Sequence, residues 1–170
     1  VVPSCFRILR HLLSRLEDER TGEILPATLH AEIPPDRLAE AKRAAAALGA
    51  DVHAHFPLAP GVRPVLDDPV ALVLNRTWRP ALTVVGLDGF PAVADAGNVM
   101  LPFASAKLSL RLPPTVDGSR AAEVVEKLLR EEPPYGAQVT FALESSVGGW
   151  NAPALAPWLR AAVERGSQAG

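Results

Sequence analysis

The 170 residues, 48% of them hydrophobic and 21% charged, suffice for one soluble globular domain with a real core. A formal net charge of −2 argues against a nucleic-acid surface, and no run of about 18 apolar residues offers a membrane span. The single cysteine, Cys5, rules out an intramolecular disulfide and argues against a thiolate metal cluster; it is compatible with a reducing cytoplasm.

The chain opens on a helix expected to run to Gly22. Phe6, Leu9, Leu13 and Leu16 recur at the three-and-four spacing of one buried face, while Arg7, Arg10, Arg15, Glu17 and Asp18 fill the remainder. Its basic residues lie inside the amphipathic pattern, not ahead of an apolar run, so the segment does not read as a signal peptide. Residues 23–34 are extended and proline-punctuated. A second helix covers 36–48, with Pro34 and Pro35 at its start, Gly49 at its end and an alanine-rich face that packs closely or lies on the surface. Residues 50–66, with Pro57, Pro60 and Pro64, read as a loop.

A short helix is expected over 69–76, then a strand over 81–86, with Leu82 and Val84 on one face and Thr83 and Val85 on the other. Residues 87–103 form a loop rich in Gly, Ala and Pro. The strand over 105–112 alternates cleanly: Ala106, Leu108, Leu110 and Leu112 face one way, Lys107, Ser109 and Arg111 the other. Asp117 or Ser119 can cap a helix running to about residue 131, with Val124, Val125, Leu128 and Leu129 buried. A strand over 137–143 turns Val139, Phe141 and Leu143 inward, and a last helix covers 154–165.

From residue 80 the order is strand, strand, helix, strand, preceded by an amphipathic helix. This is most of a split βαβ unit, and the expected fold is α+β: a ferredoxin-like open-faced sandwich, its antiparallel sheet covered by helices on one face. Residues 26–66 are then a Pro/Ala-rich insertion in a single domain spanning 1–170. Val1 and Val2 are too short to supply the usual first strand, so either that strand precedes them or a three-stranded sheet stands alone.

Residues with chemical potential each admit a plain reading. Arg111 is either a solvated strand residue or a ligand-binding cation. Asn98 after Gly97 is a good turn pair. His53 and His55, with Asp51 nearby, could hold zinc from a strand, but a third and fourth ligand are not evident. His11 reads as surface or partly buried, His30 has no identifiable partner, and Cys5 reads as packing. Trp78 is expected to pack at the strand entry, and Gly86 and Gly89 to serve backbone geometry. The triplet at 88–90, Asp-Gly-Phe, lacks every companion motif of a kinase.

Over 77–114 the chain resembles a known family. Trp78, Arg79, Pro80, Leu82, Gly86 and Gly89, then Asn98 with Pro102, then Ser109, Arg111 and Pro114 are similar to a W-R-x-P-x-L-x-x-x-G-x-x-G segment, an N-x-I-P loop and an S-x-R-x-x-P strand. That pattern is found in the lid (dimerisation) domain of the dinuclear-zinc aminoacylase, carboxypeptidase and dipeptidase superfamily, closest to the cytosolic non-specific dipeptidase and carnosinase branch. The opening 25 residues resemble the helix that follows the family's H-S-G-x-x-G-G turn, and Gly148 to Pro153 resemble its return to the catalytic domain. The Asn98–Pro102 spacing is one residue longer than the family's.

The resemblance implies that Arg111 grips a substrate carboxylate with help from Asn98, and that no residue of this chain is catalytic or binds metal. Two zinc ions, their ligands and the general-base glutamate would belong to the catalytic domain of the same polypeptide, and the family's lid histidine would precede Val1. The parent would be a cytoplasmic homodimeric metallopeptidase, with neither nucleic acid nor membrane as partner, and the isolated chain would be inactive. The guanidinium fork suits the task, because arginine stays charged and matches a carboxylate in two bonds. Two other functions remain open: a free-standing ferredoxin-like module that binds a small ligand or dimerises, and an unfamiliar enzyme built on His53 and His55.

Overall fold

The protein is described by a computed structural model covering residues 1–168. Its centre is an antiparallel hairpin of β1 (Ala81–Asp88) and β2 (Ser105–Arg111), with Ala81 opposite Arg111 and Asp88 opposite Ser105. A register shift between Val84 and Gly86 leaves Val85 without a partner. Leu82 and Leu110 pair across the ladder and, with Leu108, put one apolar face on the core, while Val84, the partner of Leu108, stays exposed.

Two helices close that face. The first, α1 (Cys5–Leu13), supplies Leu12, and the turn after it supplies Leu16. The second, α5 (Gly118–Arg130), supplies Ala121, Val125 and Leu129. Ile24 and Leu29 complete the same cluster. Asp117 is the cap of α5, its carboxylate accepting from the Arg120 amide, one of the two residues the sequence offered.

The other end of α5 is held by Arg15. Its guanidinium donates to the carbonyls of Leu128 (2.9 Å) and Glu132 (2.8 Å) and to that of Glu131. These are carbonyls that a helix terminus otherwise leaves to water. We expect Arg15→Ala to destabilise the chain by about 2 kcal/mol in urea titration, and Arg15→Lys to recover less than half, since an ammonium lacks the fork. Equal stability of all three proteins would remove this role.

The first helix is shorter than its periodicity predicts. It stops at Leu13, because Arg15 and Leu16 donate to the carbonyls of Leu12 and Leu13 and turn the chain over. Residues 17–24 then form a small bridge-and-turn, with Glu17 paired to Ile24 and the Asp18 carboxylate accepting from the amides of Arg20 and Thr21. Those two amides hold the Asp18 carboxyl below its usual range, while partial burial raises that of Glu17. The buried side chains shift accordingly: Leu12 enters the core, whereas Phe6 is exposed and meets Phe90 edge-on at 5.5 Å.

Residues 27–77 form a helical annex. Helix α2 (Pro35–Leu48) lies against α4 (Pro69–Thr77), burying Ala41 against Leu74 and Trp78; Ala45 on the same helix is buried as well. The alanine face is thus a packing face, and Trp78 sits at the strand entry as expected. Within 50–66 the structure corrects the sequence reading: α3 (Asp51–Ala54) is a short helix anchored by Val52.

The expected strand over 137–143 is not paired; the sheet has two strands. Pro133, Pro134 and Tyr135 (φ 59°) lead into an extended segment that makes no ladder bonds among the described residues. Val139 and Phe141 still pack on the core, while Leu143 is exposed rather than inward. The last helix, α6 (Pro157–Gln168), begins three residues later than predicted, at a proline that cannot sit deeper in a helix.

Candidate functional site

The alternation of β2 decides what faces outward. Leu108 and Leu110 turn to the helices, so Lys107, Ser109 and Arg111 stand exposed on the opposite side of the hairpin. Gly86, Thr83 and Ala81 lie across from them on β1. The open face therefore presents two cations about 13 Å apart along the strand, with the hydroxyls of Ser109 and Thr83 between them.

The two cations differ. Lys107 is paired with Glu144 at 2.6 Å, and both side chains are more than half exposed. Such a pair contributes at most about 1 kcal/mol and is weakened by salt. Arg111 has no ion pair or side-chain hydrogen bond among the described residues. It is nonetheless well founded, because it ends a registered strand and is followed by Pro113, which is fully buried. An unpaired guanidinium on a rigid support is suited to a carboxylate or another planar anion.

Asn98 lies in the exposed loop between the strands, at the centre of a tight turn in which Val99 donates to the Gly97 carbonyl at 2.8 Å. That loop is rooted at Asp88 and Ser105, while Arg111 lies at the far end of the ladder, six residues or about 20 Å away. The ladder by itself does not bring the two together. The loop's base is fastened by Gly89 (φ 89°), where a Cβ would fall 2.5 Å from the Phe103 carbonyl oxygen, so only glycine fits. Cys5 reaches the same carbonyl through Sγ at 3.4 Å.

The histidines make no site. His53 is in the last turn of α3 and His55 follows it. Residues two apart on a helix point to opposite sides, so the pair cannot converge on one ion as it would from a strand. No group of three or more His, Cys, Asp or Glu among the described residues is placed to hold a metal. His30, without a visible partner in the sequence, bonds the Ile24 carbonyl through Nε2 at 2.5 Å.

One feature escaped the sequence reading. Residues 146–152 form a strap across the β2–α5 connection, drawn in so closely that a Cβ on Gly149 would lie 2.6 Å from the Cα of Pro114. Arg37 of α2 ties the strap down by donating to the Ala152 carbonyl, and bonds Glu40 at 2.8 Å. Between the strap and the helical annex lies an open cleft of about 370 Å³. The Gly-Gly-Trp-Asn run was the available signal.

Comparison with known proteins gives these features a context. No protein-family model matches the chain. Over 88 residues, 51% of its length, it is 39% identical to a cysteinylglycine-S-conjugate dipeptidase of Corynebacterium striatum. Human carnosine dipeptidase 1 superposes on 95% of the chain with a TM-score of 0.68 at 18% identity. An M20 family metallo-carboxypeptidase of Sulfolobus solfataricus superposes on 77% with a TM-score of 0.54 at 20% identity. The chain spans 17% of the dipeptidase and 35% and 34% of the two solved chains.

The resemblance read from 77–114 holds: the chain is similar, in sequence and in fold, to the lid (dimerisation) domain of dipeptidase-type M20 metallopeptidases. Its α+β architecture is that of such a domain, and the human likeness extends across nearly the whole chain, helical annex included.

Proposed function

We propose that this chain acts as the lid and dimer-forming part of a dipeptidase-like metallopeptidase, placing Arg111 against the carboxylate of a peptide substrate. The single observation that carries this is an exposed, unpaired guanidinium on the uncovered face of a registered strand, inside a segment whose motifs match the family. The 39% identity with a dipeptidase supports the peptidase reading. Asn98 is a second substrate contact, brought in by its loop when a pocket is completed by another domain. The two zinc ions and the catalytic groups lie in that other domain, and the whole is cytoplasmic.

The layer order is that of the ferredoxin-like plan, a reading supported by α1 and α5 covering one face of the hairpin while the other stays open. Pairing with a second copy would use a helix and the free edge of β1, since an unpaired edge strand favours a symmetric partner. A free-standing small-ligand or dimerisation module is the alternative.

The neighbouring codons separate the two. The lid reading expects flanking segments with a metal-binding histidine and carboxylates on both sides, and a full-length product that hydrolyses dipeptides with zinc while the 170-residue chain alone does not. An open reading frame that starts and stops near these ends would favour the free-standing module.

A further inference from the structure

Arg111 is the last residue of β2, paired with Ala81 at the end of the ladder. Ladder ends open more readily than ladder centres, because hydrogen bonds hold them from one side only. A guanidinium there keeps its aim only where the chain beyond it is held as well. Leu112 packs on the core, Pro113 is fully buried, and Pro114 lies against the strap at Gly149.

The strap itself is sparsely fastened. Among the described residues it makes one hydrogen bond to the rest of the chain, the one that Arg37 donates to the Ala152 carbonyl. Close approach supplies the remainder: Gly149 meets Pro114, and Ser146 lies against Gly118, the first residue of α5. Upstream, the exposed Lys107–Glu144 pair adds little.

Arg37 can hold this position firmly. Its side chain is only 17% exposed. One branch of the guanidinium bonds Glu40 at 2.8 Å, one turn along α2, and the other branch reaches Ala152. Glu40 thus sets the plane of the fork, and a charge-assisted bond shielded from water is stronger than an exposed one. Helix α2 is seated in turn, with Ala41 packed on Leu74 and Trp78. Trp78 leads through the buried Pro80 into Ala81, the partner of Arg111. Arg37, Pro114, Trp78 and Trp150 line one cleft. Both strand ends that meet at Arg111 are therefore tied to α2, β1 through Trp78 and β2 through the strap and Arg37.

We propose that Arg37 is a positioning residue for Arg111, a role that rests on the carboxylate-binding reading of Arg111. By tying the strap onto Pro114 it holds the end of β2, and so the direction in which Arg111 points.

Two variants of the full-length protein loosen the strap by different routes. Arg37→Ala removes the tie, and Gly149→Ala drives a methyl group into Pro114. Hydrogen exchange read by mass spectrometry is expected to rise about tenfold over residues 109–116 in both, and to leave the Asp88 end of the ladder unchanged. Arg37→Lys is expected to fall between wild type and Arg37→Ala, since an ammonium lacks the planar fork. With a dipeptide and its C-terminal amide as substrates, both strap variants are expected to lose about threefold of the preference for the free acid. Once Arg111 is alanine, Arg37→Ala is expected to change that preference no further. A general loss of fold would instead slow both substrates alike. Unchanged exchange over 109–116 in both variants overturns the proposal. So does a full preference for the acid in both variants while Arg111→Ala abolishes it. A preference that survives Arg111→Ala removes the Arg111 reading itself, and this role for Arg37 with it.

Discussion

Replacing Arg111 by alanine in the full-length protein should raise the Michaelis constant for a dipeptide, or lower turnover, by about 10- to 100-fold. The size follows from what is lost. A bidentate charge-assisted pair is worth about 1.5–3 kcal/mol, and the other cation of β2 on the open face, Lys107, stands about 13 Å away along the strand, too far to replace it. The fold should not notice. The Arg111 side chain is exposed and makes no bond among the described residues, so its truncation removes no packing. Unchanged kinetics with unchanged melting would take Arg111 out of the site; a parallel loss of stability would make it structural.

The largest stability effect is expected at Leu29. This side chain is 0% exposed, on a short turn (Ala27–Leu29) that inserts it into the cluster of Leu12, Leu16, Ile24 and α5. Leu29→Ala removes three carbons from a site walled by two helices that cannot collapse inward. It should cost about 3 kcal/mol, a large part of the 5–15 kcal/mol that holds a domain together, and lower the melting temperature by about 10 °C. Leu25→Ala, four residues earlier and half exposed, should cost less than about 0.5 kcal/mol. Similar losses at both positions would show that residues 24–29 are not seated as described.

Leu29 also marks where the sequence stopped being informative. The stretch 23–34 carries prolines and no period, so it reads as loop. Its burial of Ile24 and Leu29 comes from tertiary contacts with α5 that no local pattern encodes. The clean alternation of β2 and the strong periodicity of α5 were legible for the opposite reason: each buries one face against one neighbour. The first helix misled because Phe6, Leu9, Leu13 and Leu16 keep their spacing through the turn at Ser14–Leu16, where the backbone no longer keeps the helix. Residues 137–143 show that alternation specifies which side chains face the core, and not that hydrogen bonds to a neighbouring strand form.

The site was legible in part. The outward projection of Arg111 followed from alternation alone, and the structure places it on the open face. Its separation along the ladder from the Asn98 loop depends on register, which a sequence does not display. The His53–His55 pair fell in a stretch that read as loop, because the prolines that follow it hid a single helical turn. The tryptophan cleft joins residues more than a hundred positions apart, so only Trp150 itself could have pointed to it.

The central claim is that Arg111 recognises a carboxylate in a peptidase active site. Its most direct test compares a dipeptide with the same dipeptide amidated at its C-terminus, on full-length wild type and on Arg111→Ala. The account predicts that wild type prefers the free acid by about 10- to 100-fold in kcat/KM and that the variant treats the two substrates alike. A variant that keeps the full preference for the acid contradicts it.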